Sequence, residues 1–356
     1  MTNPEISVVI PIHRAVALLQ KAIESVLEQT FSDFEVILVN NNGSNETINI
    51  AKIFEQQYPE RVRIVHEPTP GVCSARNKGI VESRGRYIAL LDEDDIMFPD
   101  RLERQYDVMK SCPELSLVTC HCDLLSYDGS TVIKKNIPIT GEWGEHFRED
   151  IRSLIERHLD HNQSDSLYLA MPSTFFFSRE TAIRVGLFDP RMNPQYCEDD
   201  EFLIRMFEKG GFHMIPQSLI FFRSAQRSDK YSISFRLTQS FRLLDILWER
   251  YGSSGHKETK SLRKIHSRLL NRYGFELLRC QSGASYGRPF LRKAFYCNPD
   301  IKSGKLFLKT FFPETYLKRL FWIDPSNLNS QAQVEHSVLM AVLAWSPEFN
   351  KNKLNL

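Results

Sequence analysis

The sequence predicts an α/β fold built on a mostly parallel sheet flanked by helices, and three features carry that expectation. The apolar segments of about the first 95 residues are short, rich in Val, Ile and Leu, and lack the alternation of a half-exposed strand. Stretches with apolar residues at helical spacing lie between them. Polar clusters at 40–44, 71–78 and 92–95 follow the apolar runs.

Ile6 to Ile12 (ISVVIPI) is β-branched and closed by a proline, a strand covered on both faces. Leu18 to Gln29 puts Leu18, Leu19, Ala22, Ile23, Val26 and Leu27 on one helical face. Glu35 to Val39 is a second strand, ending in Asn40-Asn41-Asn42-Gly43-Ser44. A helix over Glu46 to Gln57 and a short strand at Val62 to Val65 come next. Gly71 opens a turn into a helix from Ser74 to Ser83, and the strand Arg86 to Leu91 runs into Asp92-Glu93-Asp94-Asp95. Such alternation implies right-handed crossovers, with ligands at the carboxyl ends of the strands, so the three polar clusters should share one rim. Farther on, Leu115 to Leu125 reads as one strand, Asp128-Gly129 as a hairpin turn, and Ser173 to Ser178 as a short strand. A helix over Arg179 to Val185 stops at Gly186, and another over Asp199 to Lys209 stops at Gly210-Gly211. Beyond Phe235 the pattern is helical.

The 356 residues suffice for one large α/β domain and an appendage. Residues 1–234 are expected to form one domain, 1–112 its first half and 113–234 its second, with 235–356 a helical extension. The 7 cysteines are odd in number and scattered, with no CxxC pair, which argues against a disulfide framework. No apolar run approaches the roughly 18 residues of a membrane span, and the N-terminus lacks a signal-peptide pattern. A soluble protein of a reducing cytosol is the expectation. Phe235 to Leu320 holds 18 Lys and Arg against 6 Asp and Glu, a surplus of +12, while the rest of the chain carries −11. That basic region reads either as a solvated helical cap or as a contact for an anionic membrane leaflet on its inner, cytoplasmic face. No nucleic-acid motif accompanies it.

Two acidic clusters carry the chemistry. Four adjacent acids at 92–95 repel one another unless a cation offsets them, and hard oxygen ligands suit Mg²⁺ or Mn²⁺ completed by phosphate oxygens. A nucleoside-diphosphate leaving group needs such neutralisation. The second cluster, Glu198-Asp199-Asp200-Glu201, reads either as a first-turn cap opposing a helix dipole or as the source of a general base. Gly71-Val72-Cys73-Ser74-Ala75-Arg76 adds a helix N-terminus and a guanidinium, both suited to phosphate. Cys120-His121-Cys122 reads as structural, because strand alternation puts His121 opposite both cysteines. His13 and His66 read as ordinary polar contacts, and Trp143 and His146 fall in the second half of the first domain.

The stretches ISVVIPIHR, IESVLEQTFSDFEVILVNNNGS, GVCSARNKGI, RGRYIALLDEDDIMFPDRLERQ, MPSTFFFSRETAIRVGLFDP and EDDEFLIRMFEKGG together resemble family 2 of the nucleotide-sugar glycosyltransferases, over about 6–234. The resemblance implies the GT-A fold and an inverting reaction. It implies a nucleotide pocket lined by Pro11 and Ile12, with Asn41 where relatives place a base-binding aspartate. Arg76 would lie near base and phosphates, Asp92 near the ribose with Glu93 on the donor side, and Asp94 on the metal. Asp199 would be the catalytic base, supported by Glu198, Asp200 and Arg205. The chain departs from the family at Asn40-Asn41-Asn42, where relatives commonly read Asp-Asp, and at Phe222 to Gln226, which lacks a histidine found in relatives. The function so implied is transfer of a hexose or N-acetylhexosamine from a nucleoside-diphosphate (UDP-linked) donor to a hydroxyl of a glycan or lipid-linked acceptor, in cell-surface polysaccharide biosynthesis. The alternative is a catalytically inactive sugar-nucleotide-binding or scaffold subunit. A nucleotidyltransferase fits less well, since no basic, glycine-rich triphosphate loop is present near the N-terminus.

Overall fold

A computed structural model of the chain describes residues 3–14, 16–126, 128–137, 146–147, 171–194, 196–223, 233–253, 256–278, 283–299, 305–306, 310 and 336–344. The described residues form two compact units, one comprising those up to 147 and from 171 to 223, the other those from 233 onward.

The first unit runs β1 (Ile6–Ile12), α1 (Val16–Leu27), β2 (Phe34–Asn40), α2 (Asn45–Gln57), β3 (Val62–His66), α3 (Val72–Glu82) and β4 (Tyr87–Leu90). It continues through β5 (Ile96–Met97), α4 (Arg101–Ser111), β6 (Leu115–Leu125), β7 (Val132–Ile137), β8 (His146–Phe147), β9 (Phe176–Ser178), α5 (Arg179–Val185), α6 (Glu198–Phe207) and β10 (Gly211–Arg223). Among the described residues these strands form one sheet in the order β3-β2-β1-β4-β9-β6-β10-β5, with β7 on β6 and β8 on β10.

The first four strands pair in parallel, as expected. Beyond β4 the sheet is mixed: β9 runs antiparallel to both β4 and β6, while β6 and β10 are parallel. A hairpin with Gly129 at φ 73 returns β6 into β7, so no crossover is needed there. The unbroken apolar runs of β1 and β2 follow from burial on both faces. Val8, Ile10, Val36 and Leu38 join a core with Leu19, Ala22 and Ile23 of α1. Alternate residues meet α3, which approaches so closely that a Cβ on Gly79 would lie 2.2 Å from Val9 Cγ1. The expected strand over 173–178 resolves into a 3-10 turn at Pro172–Thr174 followed by β9, three residues long.

The second unit contains α7 (Ile233–Tyr251), α8 (His256–Leu278), α9 (Gly283–Cys297) and α10 (His336–Ala344). Gly274 and Gly287 let α8 and α9 pack backbone to backbone, while Lys260, Arg263 and Arg272 of α8 stay exposed. No helix among the described residues is long and apolar enough to cross a membrane. Trp143, Cys280 and most of the aromatic and basic stretch at 305–322 lie outside the described residues.

Candidate active site

The acid run after β4 is held by its neighbours one carboxylate at a time. Glu93 accepts the main-chain N–H groups of His13 and Arg14, each at 2.9 Å, which fastens the run to the end of β1 beside Pro11 and Ile12. Asp92 donates its N–H to Ser173 Oγ at 3.0 Å. Asp95 is buried and accepts from the Ser173 hydroxyl and from Arg223 N–H at 3.0 Å. Burial, with the charges of Asp94 and Asp92 adding to it, holds the Asp95 carboxyl well above its ordinary pKa. The Asp94 carbonyl accepts Arg223 Nε–H at 3.0 Å.

Arg76 joins this run to the second acidic motif. Its guanidinium, 1% exposed, donates to Asp92 Oδ1 at 2.9 Å and to Glu198 Oε1 at 3.0 Å, and lies over the Phe188 ring. Burial alone would lower its pKa; the Asp92 and Glu198 charges outweigh that and raise it. Residues 16 and 122 positions away in sequence thus share one side chain.

Within α6 the four acids divide by helical geometry. Glu198 also accepts Tyr196 N–H at 2.6 Å, so both its oxygens are engaged. Glu201 pairs with Arg205 one turn on, both buried, and Arg205 reaches Val185 O at 2.8 Å. Asp199 and Asp200 keep partial exposure. Asp199 accepts Asp200 N–H at 2.9 Å, and burial, followed by the charges of Asp200 and Glu198, lifts its pKa well above the carboxylate range. A carboxylate so raised is a stronger base once deprotonated.

The N-terminus of α3 differs from the expected phosphate cradle. Gly71 N–H goes to Asn41 Oδ1, Val72 N–H to Pro194 O and Cys73 N–H to Asn193 Oδ1, so the helix end is closed by protein groups. Asn41 is buried, and its amide donates to Glu67 O and Thr69 O. Sequence reasoning missed Ser173, Asn193 and Arg223, whose polar roles depend on contacts 81 to 129 residues away. Cys120 and Cys122 lie in the core with thiols pushed up to about 12 by burial, and His121 bonds Asn136 Oδ1 at 3.0 Å. His13 bonds Asn41 O and His66 bonds Asn40 Nδ2. A groove of about 440 Å³ between α1 and α2, lined by Leu27, Ile53, Phe54 and Tyr58 among others, includes no residue of the clusters at 92–95 and 198–201.

As a metal site the cluster is sparse. Among the described residues no three His, Cys, Asp or Glu form a complete cage. The carboxylates expected to hold a metal are those of Asp94 and Asp92, the latter already bonded through Oδ1 to Arg76. One or two carboxylates completed by substrate phosphates is the ligand pattern of Mg²⁺, so these residues fit a cation that binds together with a nucleotide.

Residues 7–184 match the model of glycosyl transferase family 2. The chain belongs to that family. An uncharacterised glycosyltransferase of Bacillus subtilis strain 168, EpsJ, is 25% identical over 71% of this family 2 chain and 72% of its own length. An uncharacterised glycosyltransferase of Rickettsia bellii is 36% identical over 31% of the chain, a match spanning 16% of that relative. YibD of Escherichia coli K12, also an uncharacterised glycosyltransferase, is 32% identical over 33% of the chain and 34% of its own length. Among solved structures, residues 1–349 of S. aureus TarS in complex with UDP-GlcNAc superpose with a TM-score of 0.58 at 13% identity, covering 91% of this chain and 89% of that one. GalNAc-T7 with UDP, GalNAc and Mn²⁺ gives 0.55 at 16% identity, covering 75% and 51%. Both likenesses are of fold, the GT-A type.

Proposed function

We propose that this chain is an inverting glycosyltransferase that moves a hexose or N-acetylhexosamine from a UDP-linked donor to a hydroxyl of a glycan or lipid-linked saccharide, in the building of a cell-surface polysaccharide. The observation that carries the reading is Arg76, whose one guanidinium draws the acid run after β4 and the head of α6 to a single place. Asp92 and Glu93 are read as the donor side, beside Pro11 and Ile12, with Asn41 in the wall behind them. Glu198, Asp200 and Arg205 support Asp199.

Asp199 acts as general base: it accepts the proton of the acceptor hydroxyl as that oxygen attacks the anomeric carbon opposite the leaving diphosphate. Its pKa, raised first by burial, makes it a stronger base once deprotonated. Asp94, with Asp92, would hold Mn²⁺ or Mg²⁺, which when bound neutralises charge growing on the departing diphosphate. Glu198 and Arg76 keep the two acidic segments in register. Uridine is favoured because TarS is solved with UDP-GlcNAc and GalNAc-T7 with UDP and Mn²⁺. The exposed lysine and arginines of α8 make an anionic membrane leaflet the second proposed partner.

The test is release of UDP from UDP-sugars with and without Mn²⁺, in the wild type, Asp94→Ala and Asp199→Asn. Loss of at least about a hundredfold in Asp199→Asn, with UDP binding retained, is the expected result; full turnover in that variant rejects the base assignment. The scaffold reading draws support from Asn41, whose amide is engaged with the protein's own backbone. UDP binding by calorimetry without turnover on any acceptor would favour it.

A further inference from the structure

Two asparagines from distant parts of the chain close the N-terminus of α3. Asn41, following β2, gives both amide hydrogens to main-chain carbonyls, Glu67 O at 2.8 Å and Thr69 O at 2.7 Å, while its Oδ1 accepts Gly71 N–H at 2.9 Å. Asn193, five residues before Glu198, accepts Cys73 N–H at 3.0 Å and donates to Ser74 Oγ at 3.0 Å. Val72 N–H reaches Pro194 O at 3.3 Å. The first N–H groups of a helix lack intrahelical partners and commonly serve as an anion site; here they serve as a joint. Glycine is required at its centre: Gly71 has φ 124, and a Cβ there would lie 2.2 Å from Asn193 Cγ. One turn into α3 stands Arg76, between Asp92 and Glu198.

We propose that Asn41 and Asn193 are positioning residues that lock the start of α3, so that residues 67–71 form a fixed wall on the donor side and Arg76 meets both acidic segments. The functional half of this statement rests on the donor–acceptor reading given above. Amide chemistry is what position 41 demands. An aspartate there has no hydrogen to offer Glu67 O or Thr69 O and sets a buried negative charge against two carbonyl oxygens. Once protonated it recovers one donor. Aspartate at position 41 therefore damages this chain at neutral pH and is partly repaired by acid.

Asn41→Asp, Asn193→Ala and the wild type, all as full chains, are compared by amide hydrogen exchange over residues 67–76 between pH 5 and 8, corrected for intrinsic rates. UDP with Mn²⁺ serves as the binding probe. Exchange in Asn41→Asp is expected to rise at least tenfold at pH 7.5 and to fall back toward wild type as the pH drops to 5. Kinetically, Asn41→Asp raises the donor KM, and Asn193→Ala lowers kcat while the donor KM stays within twofold, because Asn193 precedes the acidic motif of α6. Wild-type protection of 67–76 in both variants at pH 7.5 overturns the joint. A pH-independent loss in Asn41→Asp overturns the amide argument, and Asn193→Ala carries the test of the joint if Asn41→Asp fails to fold at neutral pH. Loosened exchange in a protein whose wild type binds no UDP leaves the joint standing and overturns its role at a donor site.

Discussion

Replacing Arg76 by methionine is the sharpest perturbation of the site. The guanidinium is 1% exposed and Glu198 3% exposed, so the Arg76→Met chain retains a carboxylate inside the protein with its cation gone. Asp92, 29% exposed, loses the same partner but can turn to water. Breaking a buried ion pair from one side costs about 3–5 kcal/mol, mostly the desolvation of the charge left behind. For a unit of 150–250 residues each kcal/mol moves the midpoint by about 2–4 °C, so a fall of about 6–20 °C is expected. Glu198→Gln removes the stranded charge, and the double variant should regain part of the loss, with a coupling of about 0.5–3 kcal/mol. Arg76→Lys keeps the charge but has no fork to span two carboxylates, and should fall between. Scanning calorimetry of the full chain reads the four variants against the wild type. A midpoint within 2 °C of wild type in Arg76→Met, or losses that simply add in the double variant, would refute the picture of a buried guanidinium paired with Glu198.

Other outcomes follow from single residues. Asp199 must be deprotonated to act as base, so kcat should fall as pH falls through its pKa, which burial, Asp200 and Glu198 place above the usual carboxylate range; Asp200→Asn should move that acid limb to lower pH, and an unmoved limb counts against the assignment. His266 is buried, and burial with Lys293 lowers its pKa from 6.5 to about 3. The folded state thus keeps it neutral, and the stability this contributes is complete above pH 6.5 and lost as pH falls toward 3. At pH 5 the loss is about 2 kcal/mol. Denaturant melts at pH 7 and pH 5 should show it in the wild type and a flatter profile in His266→Phe. Gly71→Ala should destabilise by about 1–3 kcal/mol through its positive φ and the Asn193 clash, measured by the same melts.

The parallel half of the sheet was legible because its strands are buried on both faces and its helices carry one apolar stripe each, so composition and spacing agree. The other half was not. β5, β8 and β9 have two or three residues, too few for any periodicity, and β9 is fixed by partners on both sides, Ala89 pairing Phe176 and Val118 pairing Phe176. The parallel β6–β10 ladder with its register shifts likewise depends on contacts about 95 residues apart.

The acidic clusters were legible as types and less so as individuals. In Glu198-Asp199-Asp200-Glu201 the helix repeat does the sorting: Glu198 and Glu201, three apart, share the buried face, and Glu201 meets Arg205 four residues on, so these two are structural by position. Asp199 and Asp200 stay half-buried. What spacing could not show is that the two clusters lie together. Residues 92–95 and 198–200 then bring seven carboxylates to one region, where Arg76 and Arg223 hold Asp92, Glu198 and the backbone of Asp94. The crowding of acids is visible in Asp95 and Asp199, both raised by burial and by neighbouring acids. A fold that concentrates acidic side chains at the carboxyl ends of its strands carries an electrostatic cost, and a divalent cation bound with a diphosphate would relieve it. The repulsion that weakens the protein alone is therefore the same force that would favour binding metal and nucleotide together.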